Sequence, residues 1–261
     1  NTKAGKMFAN AAFPSWHPSA KYIAFSVNRV NQVFHASGTF RAAAIDMKSD
    51  IFIYDIEKNE MLTSPALSAG DNFETFPCFS ADGTKLFYCS ADSVQMPQKF
   101  QQARYSLFSV SFDPETGTIG DSPDTVLSAA VTGKSISLPR VSPDGRFLMF
   151  VMADHGCFPS YNPEADLWMF DLVKNAYEPL TQLNSSNVES WHSWSSNGRW
   201  VVFSSRRENG LHSNPYIAYV DSDGKPHKPF LLPQKDPSFY DSFLFSYNIP
   251  ELIKSPVEVH P

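Results

Sequence analysis

An all-β architecture, a β-propeller of repeated four-stranded antiparallel blades, is what this 261-residue sequence predicts. Three observations predict it. A turn-centred hairpin motif recurs four times at a spacing of about 60 residues, the mark of a repeat architecture. A second strand motif follows every copy at a similar distance. Aromatic residues reach 14%, and they are punctuated by 20 Pro and 12 Gly, which fits short pleated strands joined by many turns.

The first copy runs P-S-W-H-P-S-A-K-Y-I-A-F-S over residues 14–26, and the second P-C-F-S-A-D-G-T-K-L-F-Y-C-S over 77–90. The third is P-R-V-S-P-D-G-R-F-L-M-F-V over 139–151, and the fourth H-S-W-S-S-N-G-R-W-V-V-F-S-S over 192–205. Each reads as a short strand, a tight turn and a second strand. In the fullest turn, Pro143 presets φ, Asp144 follows, and Gly145 can enter the left-handed region; Gly83 and Gly198 stand at the same place. The first copy has Ala20 there, which predicts a turn of another type. Alternating residues such as Phe147, Met149 and Val151 then predict the second strand.

Third strands are predicted at 50–55, 106–111, 166–171 and 215–220, each followed by a polar turn and a shorter, more variable fourth strand. This places four blades at about 13–65, 73–128, 136–182 and 189–232. Residues 1–12 read as a truncated start or the remnant of a preceding blade. Residues 233–261 read as a tail docked through Phe239, Tyr240, Phe243, Phe245 and Tyr247.

The P-x-W-S-P-D-G-x-x-I-x-F-x-S pattern followed by D-L-x-x-x-D resembles the WD-repeat-like blades of TolB-type propellers, over roughly residues 13–232. The stretch V-E-S-W-H-S-W-S-S-N-G-R-W-V-V-F-S-S-R-R also resembles envelope proteins of Bacteroides-like bacteria. The resemblance implies about six blades in a full ring, so the four visible here either belong to a larger ring or close a small one. It also implies a periplasmic or cell-envelope location and a partner-docking role. Some relatives carry a C-x-x-C-H haem motif; this sequence has none, and no cofactor is expected.

Charge and cysteine usage narrow the function classes. With 21 basic against 27 acidic side chains, net −6, a nucleic-acid surface is not expected. No apolar run approaches the ~20 residues needed to span a bilayer as a helix. Cys78, Cys89 and Cys157 form no disulfide framework; Cys78 and Cys89 fall on adjacent strands, where a bridge is one option and two small half-buried thiols the other.

Strand order puts the P-D-G turns on one face and the connections between the second and third strands of each blade on the other. The latter are long, at about 28–49, 91–105, 152–165 and 206–214, and long loops on a rigid scaffold carry binding residues. The candidate binding residues are His35, Arg41, Arg104, His155, Tyr161, Arg206, Arg207 and His212 in these loops. Glu74 and Glu189 join them, at equivalent positions three residues before Pro77 and His192 and directed toward the channel. The histidines lack metal-ligand spacing, so no metal site is expected. Trp16, Trp194 and Trp200 are expected in the core, and Trp191 either packed or at the channel mouth.

No catalytic signature stands out. Gly133-Lys134-Ser135-Ile136-Ser137 lacks the second Gly of a nucleophile elbow, and Ser80-Ala81-Asp82-Gly83-Thr84 breaks the spacing of a sialidase box. The expectation is a non-catalytic scaffold that binds a protein or peptide through the long-loop face, with no catalytic residues. The alternative is a hydrolase-like or substrate-gating propeller acting on peptide or glycan, with Glu74, Glu189 and the histidines converging in the channel. Oligomeric state is not readable from the sequence.

Overall fold

The computed structural model describes residues 11–34, 42–247 and 249–256. Four antiparallel sheets are arranged as a four-bladed β-propeller. Blade 1 comprises β1 (Ala11–Trp16), β2 (Tyr22–Phe34), β3 (Ala42–Asp55) and β4 (Glu60–Leu62). Blade 2 comprises β5 (Asn72–Phe79), β6 (Lys85–Asp92), β7 (Ser106–Asp113) and β8 (Thr118–Ile119), with β9 (Asp124–Leu127) also pairing on β7. Blade 3 comprises β10 (Ser135–Val141), β11 (Phe147–Ala153), β12 (Asp166–Asp171) and β13 (Ala176–Pro179). Blade 4 comprises β14 (Glu189–Trp194), β15 (Trp200–Ser205), β16 (Asn214–Tyr219) and β17 (Phe230–Leu231).

Blades pack sheet face to sheet face. Tyr22, Ala24, Ile51 and Ile53 of blade 1 meet Phe79, Leu86, Tyr88 and Val110 of blade 2 in one buried cluster. A second cluster joins blades 2, 3 and 4 through Phe87, Leu107, Leu148, Phe150, Leu167 and Phe203. Each of the Ile, Leu, Val and Phe side chains among them contributes about 1.5–3 kcal/mol on burial.

The hairpin turns share one hydrogen bond: Gly83, Gly145 and Gly198 donate their N–H to the carbonyls of Ser80, Ser142 and Ser195 at 3.0, 2.9 and 2.9 Å. The first turn is not of another type. Ala20 donates to the His17 carbonyl at 2.8 Å and sits at φ 58°, beside 74°, 75° and 66° for the glycines. The fold imposes the left-handed conformation there without a glycine, at a cost of about 1–2 kcal/mol. His17 is buried, and its Nε2 lies 3.1 Å from the Gly83 carbonyl, so the first turn is packed onto the second. A Cβ on Gly83 would stand 2.1 Å from His17 Nε2. Gly83→Ala is therefore expected to destabilise the fold by about 2–4 kcal/mol, strain and overpacking together, whereas Ala20→Gly is expected to be neutral or stabilising. Urea unfolding midpoints check both.

Three further expectations change in the structure. The segment 28–49 is no loop for most of its length: β2 and β3 continue as a paired ribbon from Tyr22↔Asp55 to Phe34↔Ala42, with a register shift at Arg29/Val30. Trp16 is not core but 60% exposed. The reason is strand alternation: Ser15 turns toward blade 2, where its Oγ accepts from Phe79 N at 3.1 Å, and Trp16 must face the other way. Trp200 likewise lies half-exposed against Tyr219 at 5.5 Å, while Trp194 packs on the core with its Nε1 donating to the Arg140 carbonyl. Cys78, Cys89 and Cys157 are all free and buried.

Candidate functional site

Every inner strand is interrupted at the same place. The pairing with its neighbour shifts between Ala12 and Ser15, Thr75 and Cys78, Ser137 and Arg140, and Ser190 and Ser193. Each shift encloses two residues: Phe13-Pro14, Phe76-Pro77, Leu138-Pro139 and Trp191-His192. The first of each pair has positive φ, at 54°, 53°, 55° and 50°. None is a glycine, and a bulky residue held so costs about 1–3 kcal/mol. Four strained residues at one register position form a repeated device: the bulge swings a large apolar side chain off the sheet plane and onto the axis.

There they meet. The rings of Phe13 and Phe76 are 4.4 Å apart, Phe13 and Trp191 5.8 Å, and Phe76 and Trp191 6.3 Å. On the long-loop side the axis is closed by the β11–β12 connection. Its Phe158 packs on Phe13 at 6.0 Å and Phe76 at 5.8 Å, and its Ser160 Oγ accepts from Trp191 Nε1 at 2.8 Å. Toward the P-D-G end, a hollow of about 390 Å³ remains, walled by Phe13, Pro14, Pro77, Leu138, Pro139 and Trp191. Arg140 stands on its rim, and Ile249 and Glu251 of the tail also line it.

The sequence-predicted residues are dispersed. His35 and Arg41 lie outside the described residues. Glu189 and Glu74 do occupy equivalent positions, opposite Ser205 and Ser90, but each serves its own blade. Glu189 is fully buried and accepts from Ser185 N at 2.9 Å, Ser185 Oγ at 2.6 Å, Ser205 Oγ at 2.7 Å and Arg207 Nη2 at 3.2 Å. Arg207 also donates to the Leu183 carbonyl and stacks on Tyr216 at 4.4 Å, so its guanidinium is engaged within the blade. Arg206 stacks on Tyr161 at 4.9 Å and donates to Ser213 Oγ, which joins blades 3 and 4 across the long-loop side. Arg104 donates to the carbonyls of Gln101 and Ala103 within its own loop. His155 packs edge-on against Phe100 at 5.5 Å, and burial holds its imidazole below the ordinary range. The backbone N–H of His212 is tied to Asn209 Oδ1 in the blade 4 loop. Among the described residues no group of three His, Cys, Asp or Glu side chains is placed to hold a metal ion.

Glu74 is the outlier. It is 1% exposed, its Oε2 has no hydrogen-bond partner, and no ion pair is formed with it among the described residues. Burial, reinforced by the Asp50 and Asp46 carboxylates, pushes its pKa up to about 7. A carboxyl raised from 4.5 in the unfolded chain to about 7 when folded favours the folded state while protonated. The Glu74 contribution to stability is thus fully present below pH 4.5, declines through the interval up to about 7, and is lost above it. Glu74→Gln is expected to match wild type at pH 4.5 and to exceed it by about 2–3 kcal/mol at pH 8, read from urea midpoints across that range.

No family model matches the sequence, and no curated protein matches it. Solved structures do match in shape. An oligogalacturonate lyase in complex with manganese is 12% identical with a TM-score of 0.54, covering 85% of this chain and 53% of its own. An auxiliary nutrient binding protein from Bacteroides thetaiotaomicron is 10% identical with a TM-score of 0.50, covering 87% and 43%. A putative TolB from Agrobacterium tumefaciens is 17% identical with a TM-score of 0.48, covering 85% and 79%. At such identities the likeness shows the propeller fold alone. The chain spans about half the length of the lyase. Among the described residues no helix is long and apolar enough to cross a membrane.

The axial quartet was not picked out from the sequence, although a signal is there. A bulky apolar residue stands immediately before the Pro of three copies, and before His192 in the fourth. The residue before a proline is normally held extended, so the sequence gives no cue that these four enter the left-handed region.

Proposed function

We propose that the chain is a non-catalytic scaffold that binds an extended segment of a protein partner at the axial hollow on the P-D-G side. The observation that carries this is the hollow's construction. Four blades each contribute a strained residue or its neighbouring proline to one concave apolar wall, and ligand sites are concave, mostly apolar and edged by few polar groups. Backbone strain repeated at such a place is the kind of feature retained for function. The acid–base alternative draws no support from the geometry, since Glu74 and Glu189 sit in separate networks and Glu189 is already saturated with donors. The long-loop face, as the sequence reading had it, is the second surface: Arg206 over Tyr161 would offer a partner a half-buried cation on an aromatic ring. A location in the bacterial envelope follows from the sequence resemblance and belongs to this same proposal.

The test is selection of random dodecapeptides on the wild-type chain, with rebinding to two variants. Arg140→Glu alters the rim and leaves the core intact; Leu138→Arg places a charge in the wall. Selected peptides are expected to lose at least tenfold in affinity on both. Peptides that bind both variants unchanged, or that lose affinity only on Arg206→Glu, would move the site away from the axis.

A further inference from the structure

The hollow is not bare. After running beside blade 4, where Tyr247 N donates to the Ser213 carbonyl at 2.8 Å and Ser213 N to Ser246 Oγ at 3.2 Å, the tail turns in to the axis. Ile249 lies in the lining with φ 49°, again a non-glycine in the left-handed region. The Pro250 carbonyl accepts from Ser193 Oγ at 2.9 Å, and Glu251 Oε1 stands 3.7 Å from Arg140 Nη2. Three consecutive residues therefore meet the mouth in three ways: an apolar side chain against the wall, a backbone carbonyl on a hydroxyl of β14, and a carboxylate on the rim arginine.

We infer that Ile249-Pro250-Glu251 is an internal occupant of the axial mouth, and that the external partner is an extended, acidic-edged peptide with the same apolar–proline–acidic order, which must displace it. This rests on the proposed peptide-binding function. The argument is one of complementarity and of weak tethering. Arg140 on the rim and Ser193 beside it on β14 are polar groups at the mouth, and the tail uses both. Around the occupant the tail exposes Leu244, Phe245 and Ile253, and the hydrogen bonds to Ser213 hold it beside blade 4 but not at the mouth itself. Glu251 and Arg140 are both partly exposed, so their pairing is weak in water and readily exchanged. An intramolecular occupant acts at an effective concentration near the millimolar range, so it can mask the mouth without binding tightly.

The experiment uses the full chain and a fluorescent peptide with the sequence of residues 246–254. A release variant, Ile249→Ser with Glu251→Ser, frees the mouth from its own tail; circular dichroism confirms that it is folded. The release variant is expected to bind the peptide at least tenfold more tightly than wild type. Adding Arg140→Glu to it should remove that gain, and a peptide with lysine in place of its glutamate should recover binding to the Arg140→Glu form. Equal affinity for wild type and release variant overturns the inference, as does a folded release variant that fails to bind the peptide. If the tail peptide fails while selected dodecapeptides still bind in a Leu138- and Arg140-dependent way, the tail has no role as occupant and the binding function stands. If neither binds, both readings fall.

Discussion

Arg207→Met is expected to cost about 3–5 kcal/mol of stability, because it strands the Glu189 carboxylate in a site with no exposure to water. The pair is asymmetric. Glu189 is fully buried and takes four donors, whereas the Arg207 side chain is 19% exposed and keeps the Leu183 carbonyl and the Tyr216 ring if Glu189 is neutralised. Glu189→Gln should therefore cost less, about 1–3 kcal/mol, and the double variant should recover part of the Arg207→Met loss, as paired neutral groups no longer leave a lone charge. Urea unfolding of the four proteins in a double-mutant cycle gives the coupling. The result bears on function as well as on stability. Arg207 is a natural candidate for an anionic partner when only the sequence is read. A cost below about 1 kcal/mol would mean that its guanidinium is free for such a partner after all.

Trp191→Ala should be comparably severe, about 3–5 kcal/mol. It removes the largest member of the axial quartet, the Ser160 hydrogen bond and the contacts with Phe13 and Phe76. A sharper expectation concerns rank. Inside a strand glycine is normally worse than alanine by roughly 0.5–1 kcal/mol. At φ 50° the order should invert, with Trp191→Gly more stable than Trp191→Ala by about 1 kcal/mol. The same inversion is expected at Phe76 and Leu138, and urea midpoints of each Ala/Gly pair decide it. Alanine and glycine ranking in the ordinary order at all three positions would show that the left-handed bulges are not held in the folded protein, and the axial hollow would lose its basis.

The blade repeat was legible in the sequence because its determinants are local. The turn residues at Ser80–Thr84, Ser142–Arg146 and Ser195–Arg199 close their own hydrogen bonds within five residues, and alternation at Phe147, Met149 and Val151 follows from the pleat. The third strands were legible for the same reason, since the apolar pattern of each and the polar turn that follows it are local. What a chain segment does within one blade can be read from that segment.

Three matters were decided only by the tertiary structure, because each depends on residues that folding, not sequence neighbourhood, brings together. Ala20 adopts a glycine's conformation because the neighbouring blade, through His17 and Gly83, fixes the turn. Glu74 and Glu189 look alike in sequence and sit at the same register. Yet Glu189 finds Arg207 eighteen positions on, whereas Glu74 finds neutral donors from Ala69 and Ser90 and the carboxylates of Asp50 and Asp46, so their chemistry diverges. The axial quartet is the third case: Phe13, Phe76, Leu138 and Trp191 are unremarkable apart, and only the closing of four inner strands around one axis turns them into a wall. The sequence by itself determined the blade, whose forces act between near neighbours along the chain. The site belongs to the assembly of blades, whose side chains meet across more than a hundred residues of sequence, as Phe13 and Trp191 do.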